Sequence, residues 1–107
     1  MSENERDVQT FAVFLSPARA GMPDGPTPEE AEAVGAHFEY YRGLLRDGAL
    51  VMAGRTTEPP YEGVMVFEAT DVQEAERVAQ ADPGVEAGVF EIRVQGFRVA
   101  LMRGEGD

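Results

Sequence analysis

The only histidine of this chain, His37, is the side chain best suited to proton transfer near neutral pH. Apolar residues recur at spacings of three and four between Ala31 and Leu45, which predicts an amphipathic helix. His37 lies roughly 80° from the middle of that apolar stripe, at its edge. A side chain at this edge can be half-buried and still reach a cleft. The alternative interpretation is a rim histidine that packs its ring and has no chemical role.

Asp82 is the second candidate, because it stands before Pro83 at the end of a predicted helix. If the two predicted helices are antiparallel, the end of the second approaches the half of the first that carries His37. Asp82 could then hold one imidazole nitrogen and leave the other free to accept a proton. Aspartate before proline is also a common way to start a turn, so a purely structural role is the alternative.

Four further residues could bind a small ligand. Arg19 and Arg55 are predicted loop cations, and each could bind a carboxylate or a phenolate, although pairing with surface acids is the alternative. Ser16 and Tyr41 could supply hydrogen bonds. The sequence has no glycine-rich phosphate loop, and a single histidine without any cysteine does not favour a transition-metal site. We therefore expect neither a metal nor a cofactor.

The composition narrows the choice of partner and location. The chain has 107 residues, the size of one domain, and a net charge of −11. That charge repels nucleic acid and anionic membrane surfaces, so we expect neither as a partner. The absence of cysteine, the polar character of residues 1–7 and the lack of a long apolar run favour a cytoplasmic protein.

One domain is predicted over residues 8–102, with flexible tails at 1–7 and 103–107. Strands are expected at residues 9–15, 50–53, 64–69 and 89–101. Thr27 should cap the first helix, with Pro28 in its first turn, Glu30 completing a capping box and Gly48 ending it. A second helix should start near Asp71. The core-facing stripe of the first helix is predicted to be Ala31, Val34, Phe38, Tyr41 and Leu45.

In the predicted last strand, the alternation of apolar and polar residues shifts by one position at Gly96. This phase change predicts a β-bulge there. Its apolar residues before and after the change are Phe90, Ile92 and Val94, then Phe97, Val99 and Leu101. The resulting order, β-α-β-β-α-β, is that of the ferredoxin-like α+β fold, with an antiparallel sheet and two helices on one face. The other face, with Phe14, Phe67 or their neighbours, would be uncovered, so we expect a homodimer.

Several segments together resemble the YciI-like (YCII-related) family over residues 11–97. They are residues 37–41 (HFEYY), 44–48 (LLRDG), 52–54 (MAG), 63–68 (GVMVFE), 81–83 (ADP) and 86–88 (EAG). The resemblance implies a fold of the dimeric α+β barrel type and a His–Asp pair in a pocket, which map onto His37 and Asp82. The family consists mostly of uncharacterised proteins, and its members with an assigned activity include a dehydrochlorinase acting on a chlorinated hydroxyquinol. Arg55 stands where many members have proline, and Val34 stands where some members have arginine, so no substrate is implied.

Two functions are consistent with these residues. The first is a cofactor-free lyase or isomerase, including dehydrochlorination-like elimination, in which His37 takes a proton, Asp82 supports the imidazolium and an arginine stabilises the oxyanion. The second is a dimeric module that binds a small anionic or aromatic metabolite without catalysis. A solvent-open pocket with His37 and Asp82 in hydrogen-bond reach would support a site for either function, whereas a buried pair without a cavity would support a structural role.

Overall fold

A computed structural model describes residues 8–104 of the chain. Of the predicted tails, residues 1–7 and 105–107 lie outside the described range. Within that range no helix has both the length and the apolar character needed to span a bilayer. The elements are β1 (Gln9–Pro17), α1 (Pro28–Arg46), β2 (Leu50–Arg55), β3 (Gly63–Ala69), α2 (Val72–Gln80), α3 (Pro83–Glu86) and β4 (Phe90–Gly96).

The four strands form one antiparallel sheet in the order β2–β3–β1–β4. The two central strands, β1 and β3, place Phe11 opposite Phe67 and Val13 opposite Met65, all four buried. These side chains pack in one cluster with residues of both α1 and α2, so the long helices cover the same face of the sheet. The predicted α+β fold with ferredoxin-like order is confirmed.

The start and end of α1 follow local signals. The Thr27 side chain accepts the backbone N–H of Glu30 at 3.1 Å, and the Glu30 carboxylate accepts that of Thr27 at 2.9 Å, as a capping box requires. At the other end Gly48 has a φ of 89°, a left-handed conformation that glycine adopts without a steric penalty. Both predicted boundaries of α1 are confirmed.

The buried face of α1 differs from the predicted stripe. Phe38 and Leu45 are 59% and 55% exposed, whereas Ala33 and Tyr41 are buried. The helix is therefore turned so that the row of Ala33, His37 and Tyr41 faces inward, at spacings of four. A search for apolar residues leaves histidine out of the buried face, because burying a polar ring without a hydrogen bond costs free energy. Here a carboxylate hydrogen-bonds to the imidazole, which offsets that cost. The prediction that Phe38 and Leu45 face the core is wrong.

The last strand is shorter than predicted, and its predicted bulge is absent. β4 ends at Gly96, which pairs with Phe11, and the backbone N–H of Phe97 continues the same register by donating to the carbonyl of Thr10 at 2.9 Å. Beyond that point β1 has only Gln9 left, so Val99 and Leu101, which were predicted to continue the strand after the phase change, lie outside it. A register shift occurs instead in the pairing of β2 with β3, between Leu50 and Met52.

Phe14 and Phe67 lie on opposite faces of the sheet. Phe67 is 1% exposed and belongs to the core beneath the helices, so its predicted place on the uncovered face is wrong. Phe14 alternates with the buried Val13 and Leu15 and therefore points away from the helices. The guanidinium of Arg93 lies 4.3 Å from the centre of the Phe14 ring.

Candidate functional site

His37 and Asp82 form a hydrogen-bonded pair across 45 residues of sequence. Nδ1 of His37 lies 2.6 Å from Oδ2 of Asp82. The Asp82 side chain is fully buried, whereas 12% of the His37 side chain remains exposed. Since the carboxylate is out of contact with water, His37 and the backbone supply the hydrogen bonds that it needs.

Asp82 is held in place by its role as a helix cap. Its backbone is extended, as expected before proline, and it starts the short helix α3. Oδ1 accepts the backbone N–H of Gly84 at 2.8 Å, which leaves Oδ2 for the imidazole. The two interpretations of Asp82, turn-starter and histidine partner, are therefore both realised, one through each carboxylate oxygen.

The carboxylate also decides which tautomer of His37 is present. Because Oδ2 of Asp82 can only accept, Nδ1 carries the proton, and in the neutral ring Nε2 keeps its lone pair. The rings of Tyr41, Phe90 and Phe38 surround the imidazole, with centroids 5.3, 4.9 and 5.8 Å away. Nε2 can therefore serve as a base, while the packed rings restrict the orientation of the imidazole.

A cavity of about 540 Å³ lies beside this pair, with His37 in its wall. It is bounded by α1, the loop before it, and the ends of β1, β2 and β3. The lining is mostly apolar and includes Leu15, Met22, Val34, Phe38, Met65 and Phe90. The polar side chains in the lining are His37, Tyr41, Arg55, Tyr61 and Glu62. Because Phe38 and Arg55 are exposed, the cavity opens to solvent.

The sequence matches the YCII-related domain over residues 10–95. The chain belongs to this family. Similar solved structures include 5-chloro-2-hydroxyhydroquinone dehydrochlorinase TftG from Burkholderia phenoliruptrix in complex with 2,5-dihydroxybenzoquinone. It is 18% identical, with a TM-score of 0.67 over 85% of this chain and 95% of that one. Another is SnoaB, a cofactor-independent oxygenase from Streptomyces nogalater, at 17% identity and a TM-score of 0.48 over 92% and 99% of the two chains. No curated protein matches the chain.

Two of the four predicted ligand-binding residues, Tyr41 and Arg55, line the cavity of this YCII-related domain. The guanidinium of Arg55 lies 5.1 Å from the centre of the Tyr61 ring at the opening. Across residues 8–104, no three His, Cys, Asp or Glu side chains are grouped so that they could hold a metal ion. The binding roles of Tyr41 and Arg55 remain predictions.

The other two, Arg19 and Ser16, are not part of the cavity lining. Arg19 donates to both carboxylate oxygens of Glu30, at 2.9 and 2.6 Å, and to the carbonyl of Gly25. Hydrogen bonds from Arg19 and from the backbone of Thr27 hold the pKa of Glu30 at about 2. Arg19 therefore forms an ion pair with an acidic residue, which was the alternative to ligand binding. Ser16 alternates with the buried Leu15 on β1 and lies on the face away from the helices.

Gly84 is a site residue that sequence reasoning missed. A Cβ at this position would lie 2.6 Å from Cδ2 of Phe90 and 3.3 Å from Cβ of His37. The missing side chain therefore lets α3 approach α1 closely enough for the His37–Asp82 hydrogen bond. The only local signal was a glycine after Asp-Pro, which is equally typical of an ordinary turn.

Replacing Gly84 by alanine should lower the free energy of unfolding by about 1–3 kcal/mol, because the new methyl group overpacks the contact with Phe90. Urea unfolding measures this change, and the NMR signals of the His37 ring should shift with it. Gly35→Ala is the control, since a Cβ added at Gly35 would meet no atom within 4 Å and alanine favours the helix. If both variants are as stable as the wild type, the close approach at Gly84 does not matter.

Proposed function

We propose that this YCII-related protein is a cofactor-free enzyme that transfers a proton on a small aromatic or anionic metabolite, as a lyase or isomerase. The observation that carries the proposal is the hydrogen bond of 2.6 Å between His37 and the fully buried Asp82, at the wall of an open cavity. A histidine with one nitrogen fixed by a carboxylate and the other unprotonated is the usual arrangement of a general base.

The reaction would use His37 as the base and Asp82 as its support. Nε2 takes a proton from a carbon or a phenolic oxygen, and the negative charge of Asp82 stabilises the imidazolium that forms. In an elimination, the electron pair left behind forms a double bond and expels the leaving group as an anion. In an isomerisation, the imidazolium returns the proton to another atom of the same molecule.

The cavity favours a flat, largely apolar ligand with an acidic group. Its volume of about 540 Å³ is within the range of pockets that enclose small molecules, and most of its lining is apolar. His37 lies in the wall of the cavity, and the cationic Arg55 lies near its opening. A ligand could therefore place its ring beside His37 and bind Arg55 through an anionic substituent at the opening.

Turnover of a substrate panel by wild type and by His37→Ala tests the proposal. The panel contains chlorinated hydroxyquinols, halogenated phenols, lactones and enol acids, and absorbance and chloride release report the reaction. The fold shared with TftG makes 2,5-dihydroxybenzoquinone a suitable first binding probe. The sequence contains neither cysteine nor lysine, so such a quinone meets no side-chain thiol or primary amine. Saturable binding without turnover on any member would favour the alternative, a small-molecule-binding module.

We also propose that the protein is a homodimer in the cytoplasm. Both long helices cover one sheet face, and Phe14 lies on the other. After β4 the chain exposes further apolar side chains, with Phe97 43%, Leu101 95% and Met102 44% exposed. Exposed apolar surface of this kind is an aggregation liability in a monomer, and a second copy of the chain would cover it.

Sedimentation velocity at micromolar concentration should therefore show a dimer. Its interface should bury about 1,200 Å² or more, as stable protein interfaces do. Phe14→Glu should dissociate it, because two charges would be buried in a two-fold interface. Val72→Glu is the control, since Val72 is 44% exposed on α2, which lies on the other face of the sheet. A monomeric wild type would contradict the proposed dimer.

A further inference from the structure

Arg55 is the only arginine among the described residues that line the cavity. It lies at the end of β2, opposite Gly63 of β3, which in turn lies opposite Leu15 of β1. Residues directly opposite each other in a sheet share a face, and Leu15 is buried on the face that the helices cover. The Arg55 side chain therefore starts on the cavity side of the sheet.

The loop between β2 and β3 positions the Arg55 guanidinium, which lies over the ring of Tyr61 at 5.1 Å. Tyr61 is half-buried in this loop of residues 56–62. The loop is closed by its own hydrogen bonds, since the backbone N–H of Thr56 donates to the carbonyl of Glu62 and that of Glu62 donates to the Thr56 hydroxyl, both at 2.9 Å. A cation on an aromatic face is attracted to it and loses part of its conformational freedom. The guanidinium is therefore largely oriented before a ligand binds.

No acceptor of the protein occupies this guanidinium. Among residues 8–104 Arg55 forms neither an ion pair nor a side-chain hydrogen bond, although Glu62 lines the same cavity. Arg19, by contrast, is paired with Glu30. Stacking on an aromatic ring uses the face of a guanidinium and leaves the N–H groups in its plane available. These donors can therefore bind an anion of the ligand.

The chemistry of this cation favours a carboxylate over other anions. The guanidinium N–H groups form a planar fork, and the two oxygens of a carboxylate accept from it in parallel, whereas a phenolate offers only one oxygen. A phosphate also offers several oxygens, but its second negative charge would be repelled by Glu62 in the same lining. One guanidinium beside one carboxylate of the protein suits a ligand group with a single charge.

We propose that Arg55 selects ligands with a carboxylate on their ring, so that the substrates are hydroxylated aromatic or other cyclic carboxylic acids. This inference rests on the proposed function and narrows its substrate class. The carboxylate binds Arg55 at the opening, and the ring lies in the apolar part of the cavity beside His37. Arg55 thus acts in binding, whereas the sequence had suggested an arginine that stabilises the developing oxyanion.

Isothermal titration calorimetry with the isomeric hydroxybenzoates and the matching hydroxybenzamides tests the inference. At neutral pH an acid and its amide have nearly the same shape, but only the acid is charged. The wild type should bind at least one hydroxybenzoate about tenfold more tightly than its amide, as charge-assisted bonds to an oriented guanidinium allow. Arg55→Gln should abolish this preference. Arg55→Lys should retain only part of it, because an ammonium keeps the charge but lacks the fork.

Arg42→Gln is the matched control, because it removes the charge of an arginine that is exposed on α1 and outside the cavity lining. It should keep the preference of the wild type. If the wild type binds the amides as tightly as the acids, or binds neither, the inference is wrong. It is also wrong if Arg55→Gln weakens both ligands equally, because Arg55 would then only shape the opening.

The proposed function is judged separately, by turnover of its own panel. That panel contains halogenated phenols and lactones, which carry no carboxylate. If the wild type turns over such a compound and has no preference for hydroxybenzoates, the proposed function is supported and the role of Arg55 is refuted. If it prefers hydroxybenzoates through Arg55 but turns over no member of the panel, the selectivity is supported and the protein is a binding module.

Discussion

Replacing His37 by asparagine should reduce turnover by about 10²–10⁴-fold, the usual contribution of a general base. The asparagine amide can still donate to Oδ2 of Asp82 from a position near that of Nδ1, but it has no basic nitrogen in the position of Nε2. The variant should therefore keep its fold and its affinity for a ligand while losing the chemistry. Steady-state kinetics on the best substrate of the panel gives the turnover rate, and a separate binding measurement gives the affinity.

Asp82→Asn completes this test from the other side of the hydrogen bond. An asparagine carbonyl can still accept either the imidazole proton or the N–H of Gly84, but it brings no charge to stabilise an imidazolium. Turnover should fall in the same direction as in His37→Asn, and the double variant should be little worse than either single one, because the two side chains act as a unit. Turnover equal to that of the wild type in His37→Asn would rule out the proposed base.

Replacing Asp82 by alanine should lower the free energy of unfolding by about 2–4 kcal/mol, from the lost cap of α3 and the unpaired donors left behind. Those donors are the backbone N–H of Gly84 and Nδ1–H of His37, and both bond to a side chain that is fully buried. Because that site excludes water, solvent cannot replace the missing acceptor. Urea unfolding followed by circular dichroism measures the loss.

Asp71→Ala provides the comparison, because Asp71 caps α2 in the same way but at an exposed position. Its side chain accepts the backbone N–H of Glu74 at 2.8 Å. Water can replace this acceptor, so the loss should be only about 1 kcal/mol, as for an ordinary N-cap. Equal losses for Asp71→Ala and Asp82→Ala would mean that Asp82 is merely a helix cap and that its bond to His37 adds nothing to stability.

The parts of the structure that depend on neighbouring residues could be predicted from the sequence. The capping box of Thr27 and Glu30, the end of α1 at Gly48 and the order of strands and helices all follow from signals within a few residues. The element order in turn gave the antiparallel arrangement of the helices, which brought Asp82 toward His37. Local signals and one rule of topology therefore predicted the fold, and together with the family resemblance they predicted the pairing of these two residues.

Other features depended on contacts between distant parts of the chain. Which face of α1 is buried was decided by the carboxylate of Asp82, which makes a buried imidazole acceptable and leaves Phe38 at the cavity. Where β4 ends was decided by the start of β1, which offers no further backbone partners beyond Thr10 and Gln9. Neither the hydropathy of α1 nor the alternation of residues 89–101 contains this information.

The site itself shows the same division between local and long-range causes. From the sequence alone, His37 and Asp82 were a candidate pair of unknown separation, Tyr41 was a possible hydrogen-bond donor, and Gly84 was an ordinary glycine. The requirement for a glycine where α3 meets α1, and the absence of a hydrogen-bond partner for the Tyr41 hydroxyl among residues 8–104, exist only once the helices are packed. A sequence determines which groups are available, but burial and hydrogen-bond satisfaction are properties of the space around a side chain, and only the tertiary structure defines that space.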